Sequence, residues 1–469
     1  MRGGLKKQAV AVIGSLFITG ASLASVAIPG ADVAAPVNGV GPVSTSRTDT
    51  GDLQSPLSIE GISATKAIGA AIVAGKTSKI KFVPIGNADL GGTFTTVRRG
   101  QGARGITGSA MVLPAFKVGE KGYILPIYAF NGGVSDHMID ETVLFQTRQT
   151  HSVSLGYRYR VASKLDIKGS VDGAFAFNKE TRDEKFGKGL YDYRDFGGRL
   201  GLAWGMDREG REEQVNGTIR AYLRKYPNYK SLASENRKTI ASISPEVAKS
   251  IGDKEVNPKD FLGAEAMTDA VLWLSPEMRS RFSYAFGMRF YEDRYLRNTQ
   301  GWYSGTKRTD MLHSMGAKLD WAALPKWVFR TGVDSLFFGS NGSAYDWNQP
   351  KTAYIPHYYQ FLNGVWTVGA TWETPLGSEL HPSISGGLGL GLQGYTDRRA
   401  QDSAGKNLSR RQRDFTYSAN LGAEWPFTKW LSATLGVNGE ATRSNNRFEK
   451  YVKYSYEILG VYLGIRATY

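Results

Sequence analysis

The chain contains no cysteine. That excludes a disulfide framework, a thiolate metal site and an acylated lipoprotein cysteine. Long hydrophobic runs are also missing. Beyond the N-terminus nothing approaches 18 consecutive apolar residues, so the sequence offers no inner-membrane helix. Histidine is scarce, at five positions, and there is no phosphate-binding glycine loop, zinc spacing or nucleophile elbow. No catalytic residue, metal or cofactor is therefore expected. Asp136, His137, Asp140 and Glu141 crowd one stretch, which reads as a solvated acidic loop. Acidic residues are in deficit: 43 against 58 Lys and Arg, a formal charge of +15. A nucleic-acid partner would need a basic helix or a stacking module, and neither is present. The cations instead fall in loops and at alternate positions, which suits anionic lipid or a pore favouring anions.

What the chain does have is alternation. Phe415, Tyr417, Ala419, Leu421, Ala423 and Trp425 interleave with Thr416, Ser418, Asn420, Gly422 and Glu424. Phe282, Tyr284, Phe286, Met288 and Phe290 interleave with Arg281, Ser283, Gly287 and Arg289. A period of two marks strands with one greasy face and one small or polar face. The final stretch repeats it: Leu459, Val461, Leu463, Ile465, Ala467 and Tyr469 alternate with Gly460, Tyr462, Gly464, Arg466 and Thr468. Such a strand fits the closing seam of a barrel whose apolar face meets lipid.

At this point the chain resembles bacterial outer-membrane β-barrels. Their last strand carries an assembly signal of the form polar-x-Gly-x-x-apolar-x-aromatic. Tyr462, Gly464, Ala467 and Tyr469 fit it, with Tyr in place of the commoner Phe. The resemblance implies an all-β, antiparallel up-and-down transmembrane barrel in the outer membrane. It also implies outer-membrane lipid, lipopolysaccharide and the barrel-assembly machinery as partners.

The N-terminus agrees. Arg2, Lys6 and Lys7 precede the apolar run Ala9 to Ile18 and small-x-small sites at 22–24 and 25–27, the order of a secretory signal peptide over 1–27. Residues 28–87 are Gly/Ser/Thr-rich. They are open to three readings: a flexible periplasmic leader, a plug, or a docking segment for a periplasmic partner.

The barrel is expected over 88–469. From Thr142 onward thirteen strands alternate with connections that are short on one side and long on the other. Transmembrane barrels have this asymmetry and soluble sandwiches do not. Three further strands are expected at Leu90–Val97, Ala110–Lys117 and Tyr123–Phe130, for sixteen in all. Pro114 and Pro126 weaken the last two, and fourteen is the alternative. Trp204, Trp321, Trp327, Trp372, Trp425 and Trp430 fall beside short turns, as a periplasmic aromatic girdle would. The longest external loop, 225–260, holds Ser244 to Gly252, which has the punctuation of a short helix. It either folds inward as a constriction or lies outside as a lid.

Strand parity also gives the charges of the inner face. Arg158, Arg160, Arg199, Arg220, Arg224, Arg281 and Arg289 lie on the earlier strands; Glu373, Asp397, Glu424 and Glu440 lie on the later ones, with Arg466 as an exception. Two arrangements follow. Opposed rows would set a transverse field across a pore, or each charge would pair with neighbours such as Asp172, Glu265, Asp269, Asp320 and Asp334. The functional expectation is a porin-like channel passing small polar solutes. The alternative is a non-conducting barrel that scaffolds an envelope complex or exports or anchors surface material.

Overall fold

The computed structural model describes residues 82–83, 86–97, 101–139, 142–179, 181, 183–208, 211–229, 257–299, 302–346, 353–376, 380–448 and 454–468. Sixteen antiparallel strands form the wall. They are β1 (Gly86–Val97), β2 (Gln101–Val112), β3 (Gly122–Ile139), β4 (Thr142–Ala162), β5 (Leu165–Lys179) and β6 (Tyr193–Arg208). There follow β7 (Arg211–Lys225), β8 (Phe261–Trp273), β9 (Met278–Arg297), β10 (Tyr303–Leu324) and β11 (Trp327–Ser340). The circuit ends with β12 (Phe361–Glu373), β13 (Ser383–Gln401), β14 (Asn407–Pro426), β15 (Leu431–Ser444) and β16 (Tyr456–Thr468). Each pairs with its sequence neighbours. β16 then pairs with β1, Leu90 facing Ile465 and Thr95 facing Gly460, so the sheet has no free edge.

The exterior is apolar. Leu90, Leu200, Leu388 and Leu463, spread around the wall, are each more than half exposed. In water such a surface would aggregate; in a bilayer it is what lipid tails require, and the closed ladder pairs the backbone within the wall. Trp204, Trp321 and Trp425 stand exposed near the short-turn ends of their strands, and Trp430 stands exposed in such a turn. Trp327 stacks on Trp372 at 5.8 Å between ring centres. The periplasmic girdle is thus in place. At the other end of the wall a motif repeats. His151 accepts or donates to Tyr128 Oη at 2.9 Å beside Phe130 and Phe177, and His313 does the same with Tyr284 beside Phe286 and Phe337. Each Tyr comes from a Tyr-Ala-Phe tripeptide on the preceding strand.

Two expectations are corrected. The second strand is Gln101–Val112, not Ala110–Lys117; Ala115–Val118 is a separate short strand. Pro114 lies between the two pieces, where the chain leaves the ladder. Pro126 does lie within β3, at the gap where the β2-side partners jump from Tyr128 to Ile124, so its missing N–H costs no bond on that side. The glycine- and alanine-rich run 101–110 hid the strand because small residues carry little alternation. The second correction concerns loops. Most of 295–309 and 398–413 is strand, since β9 reaches Arg297 and β13 reaches Gln401. Charged residues beyond the bilayer made those ladders read as coil. The Ser244–Gly252 helix, Tyr469, residues 1–27 and nearly all of 28–87 lie outside the described residues. The chain from Phe82 is the exception: Phe82–Val83 pairs with Ala115–Phe116.

Candidate pore lining

The inner face is built by the same parity that puts leucine outside. On β7, Ile219 points to lipid while Arg220, Tyr222 and Arg224 point inward; all three inward residues are buried. Asp195, wholly buried on β6, accepts from Arg220 at 3.1 Å and from Arg224 at 2.7 Å. Arg220 also bonds Asp172 at 2.6 Å and approaches Glu265 at 3.8 Å, and Arg199 pairs with Asp172 at 3.3 Å. Four strands are thereby laced together by three guanidiniums and three carboxylates. A charge removed from water this fully needs such partners.

The other sequence-predicted residues are distributed as follows. Arg158 and Arg160 share Asp166, the latter at 3.2 Å. Arg281 bonds Asp320 at 3.0 Å, together with Arg279 at 2.7 Å and Arg330 at 3.5 Å. Arg289 is buried with its guanidinium 5.2 Å from the Phe261 ring centre. Arg466 lies between Asp89 at 3.2 Å and Glu424 at 3.3 Å, which Ser432 also reaches at 2.8 Å. Glu440 accepts from Tyr456 at 3.1 Å. Glu373 is exposed at the periplasmic end of β12 and joins none of these groups. Every ion pair named here links strands or residues that are close neighbours in the wall.

Tyr462 and Gly464 meet at the seam. A Cβ on Gly91 would fall 2.3 Å from the Tyr462 ring, and one on Gly464 would fall 2.2 Å from its hydroxyl. The tyrosine lies flat over two glycines, joining β16 to β1. Tyr222 covers Gly263 in the same way. Ala467 pairs with Leu431 and Ala88.

Sequence reasoning missed the outer half of the lining. Arg308 is buried, bonded to Asp310 at 2.8 and 2.9 Å, and held between Tyr291 and Tyr359. Tyr291 and Ser340 complete the Asp310 shell at 2.9 and 2.6 Å. Arg398 is buried among Tyr358, Tyr395 and Tyr454, donating to Tyr454 Oη at 2.7 Å. The signal was available in Arg308-x-Asp310 and Gln412-x-Asp414, polar residues at strand spacing, but both lie in or beside stretches read as loops.

The lining is lopsided. Across β6 to β10 it is crowded with Arg, Asp and Tyr. At mid-height across β12 to β15 it is small and polar, between the Arg398 cluster above and Glu424 below: Thr367, Gly387, Gly389, Ser418, Asn420 and Asn438 share the inner parity. At mid-height, inward-facing Lys318 and Asp334 pair at 3.4 Å, yet their side chains remain 56% and 47% exposed. Among the described residues no group of three His, Asp or Glu is placed to hold a metal ion. The side chain of His137, with Asp140 and Glu141, lies outside them.

In the external loops, burial pushes the Asp192 carboxyl up from its ordinary value, although the Asn178 and Gly189 amides donate to it at 2.6 and 3.1 Å. Burial likewise raises Asp260, against the opposing pull of the Tyr226 amide and Lys225.

No family model matches the chain, and no curated protein does. Among solved structures it is similar to OccAB1 of Acinetobacter baumannii (6% identity, TM-score 0.42, covering 82% of this chain and 96% of that one). It is also similar to a bacterial polysaccharide outer membrane secretin (10%, 0.40, 82% and 98%). A third is the outer membrane protein OpdK of Pseudomonas aeruginosa (8%, 0.36, 82% and 99%). The closed wall, apolar exterior and charged interior make this chain a sixteen-stranded antiparallel transmembrane β-barrel, and the likeness to these structures is one of fold alone.

Proposed function

We propose that the barrel is a water-filled channel for the passive passage of small polar solutes. The observation that carries this reading is the exposure of Lys318 and Asp334, which face inward at mid-wall and yet remain open to solvent. Ser314, Thr367 and Asp269, also inward by parity, are exposed as well. Polar side chains at membrane depth need protein partners or a water-filled space, and these have the space. A solute crossing here passes between an arginine-rich side and a small, hydroxyl- and amide-lined side. Such an arrangement orients dipolar solutes without binding them tightly.

A second reading, a non-conducting scaffold, draws on the tightly packed Arg and aromatic residues under the outer mouth, such as Arg224, Arg308 and Arg398. Planar-bilayer recording separates the two. A channel gives stable open current from the purified, folded barrel. Replacing Arg199 and Arg220 by Ser then moves the reversal potential toward cations, because Asp172 and Asp195 lose their counter-charges. Absence of open current favours the scaffold; an unmoved reversal potential removes those arginines from the conduction path.

A further inference from the structure

Above the apolar band on the outer surface of β13 and β14 stands a cluster of arginines with which no described carboxylate, exposed Asp397 included, forms an ion pair. The outward face of this ladder climbs from Trp425 through Leu421 and Leu388, Tyr417 and Leu390, to Phe415 and Leu392, all exposed. Ten residues separate Trp425 from Phe415. At about 3.4 Å per residue and a tilt near 40°, they rise roughly 26 Å, the height of an outer-membrane apolar band. The next outward residues on β14 are Arg413 and Arg411, both exposed. Arg411 pairs directly with Arg399 of β13, which is exposed as well.

Like charges placed opposite each other in a ladder repel unless something sits between them. The protein has supplied counter-charges elsewhere with care: nearby Arg443, diagonal to Arg413, has Glu457. Among the described residues no carboxylate pairs with Arg399, Arg411 or Arg413. The inner-facing neighbours Arg398, Gln412 and Asp414 are all buried and engaged with one another or with the wall. The hairpin carrying the outer arginines is therefore fixed rather than a loose solvated loop. Its guanidiniums stand just beyond the tails' reach, at the level of the lipid headgroups.

We infer that Arg399, Arg411 and Arg413 form a binding site for the phosphate groups of an outer-leaflet glycolipid. Planar guanidiniums bond phosphate through two parallel N–H groups. The apolar strip directly below, Phe415, Tyr417, Leu390 and Leu392, offers contact to the acyl chains of the same molecule. Lipid is the source of phosphate favoured here because the arginines and the apolar strip share one outward face. A soluble anion would use only the upper half of that surface. The inference is independent of whether the lumen conducts.

The test is native mass spectrometry of the full folded barrel in a neutral detergent, with two probes: lipid A carrying both phosphates, and the same lipid A with both removed. The wild-type protein is expected to retain the phosphorylated form in preference. The R399Q/R411Q/R413Q variant is expected to lose affinity for it by roughly 100-fold, near fivefold per arginine at an anionic surface. The variant with Lys at the three positions should recover part of that loss. Equal retention of the two lipids by the wild type overturns the inference without recourse to any variant. So does unchanged retention by the triple variant. Displacement of the lipid by millimolar inorganic phosphate also overturns it, because the site would then serve a free anion.

Discussion

Replacing Asp195 by Ala removes the carboxylate on which two buried guanidiniums converge. Asp195 is fully buried, accepting from Arg220 at 3.1 Å and from Arg224 at 2.7 and 3.3 Å. Arg220 keeps Asp172 at 2.6 Å, so its charge is still partly compensated. Arg224 loses its short carboxylate bond and keeps the Tyr193 ring, 4.3 Å from its guanidinium. Breaking one member out of a buried pair costs about 3–5 kcal/mol, through the weakened compensation of the charges that remain. Asp195→Asn retains an acceptor oxygen but no charge. Its cost should be about 1.5–3 kcal/mol, the range for hydrogen bonds to charged groups. Urea titration of the barrel refolded into lipid vesicles, followed by tryptophan fluorescence, reads both values from the shift in midpoint. A loss below about 1 kcal/mol for the alanine variant would refute the reasoning, for it would mean that water screens these charges as it does at a surface.

Two further outcomes follow from the seam and the loops. Gly91→Ala sets a methyl group 2.3 Å from the Tyr462 ring, so the tyrosine must leave its place over β1 and β16. Overpacking of this kind costs about 1–3 kcal/mol, and Tyr462→Ala in the same chain should relieve most of it. Gel migration of unheated samples reports the folded fraction. Burial raises Asp192 and Asp260 from their ordinary value because it disfavours their charged forms. The folded loops thus hold protons that the unfolded chain has released. Their stabilisation is full below the ordinary value and is lost as pH rises through the raised one. Hydrogen exchange at the Asn178 and Gly189 amides, corrected for its intrinsic rate, should be slower in mild acid than at neutral pH. Asp192→Asn should flatten that difference.

The sequence carried the wall well because a lipid-facing strand cannot avoid displaying its period. Phe415 to Trp425 and Leu459 to Ile465 had to be apolar at every second position, and the structure turns each of those residues outward. Where a strand leaves the bilayer, that demand ends. Arg398 and Arg308 belong to strands all the same, held by inner packing that no hydropathy pattern records, while the run 101–110 stays within the wall and was hidden by its small residues. Parity also told which charges face inward, but it could not tell how they pair. Arg220 meets Asp172, Asp195 and Glu265 because β5 to β8 stagger at a fixed tilt, and that shear is a property of the closed sheet. The twin Tyr–His contacts were hidden for a similar reason: each joins residues 23 or 29 positions apart.

The absence of cysteine makes the central claim, a water-filled lumen, directly measurable. Lys318→Cys and Thr367→Cys place a thiol on the inner face, whereas Met315→Cys and Val333→Cys place one among the lipid tails. In vesicles, a charged, membrane-impermeant thiol reagent should label the first pair quickly and reduce the conductance, and should leave the second pair untouched. Labelling that ignores the parity, or an inner face that the reagent cannot reach, would contradict the account.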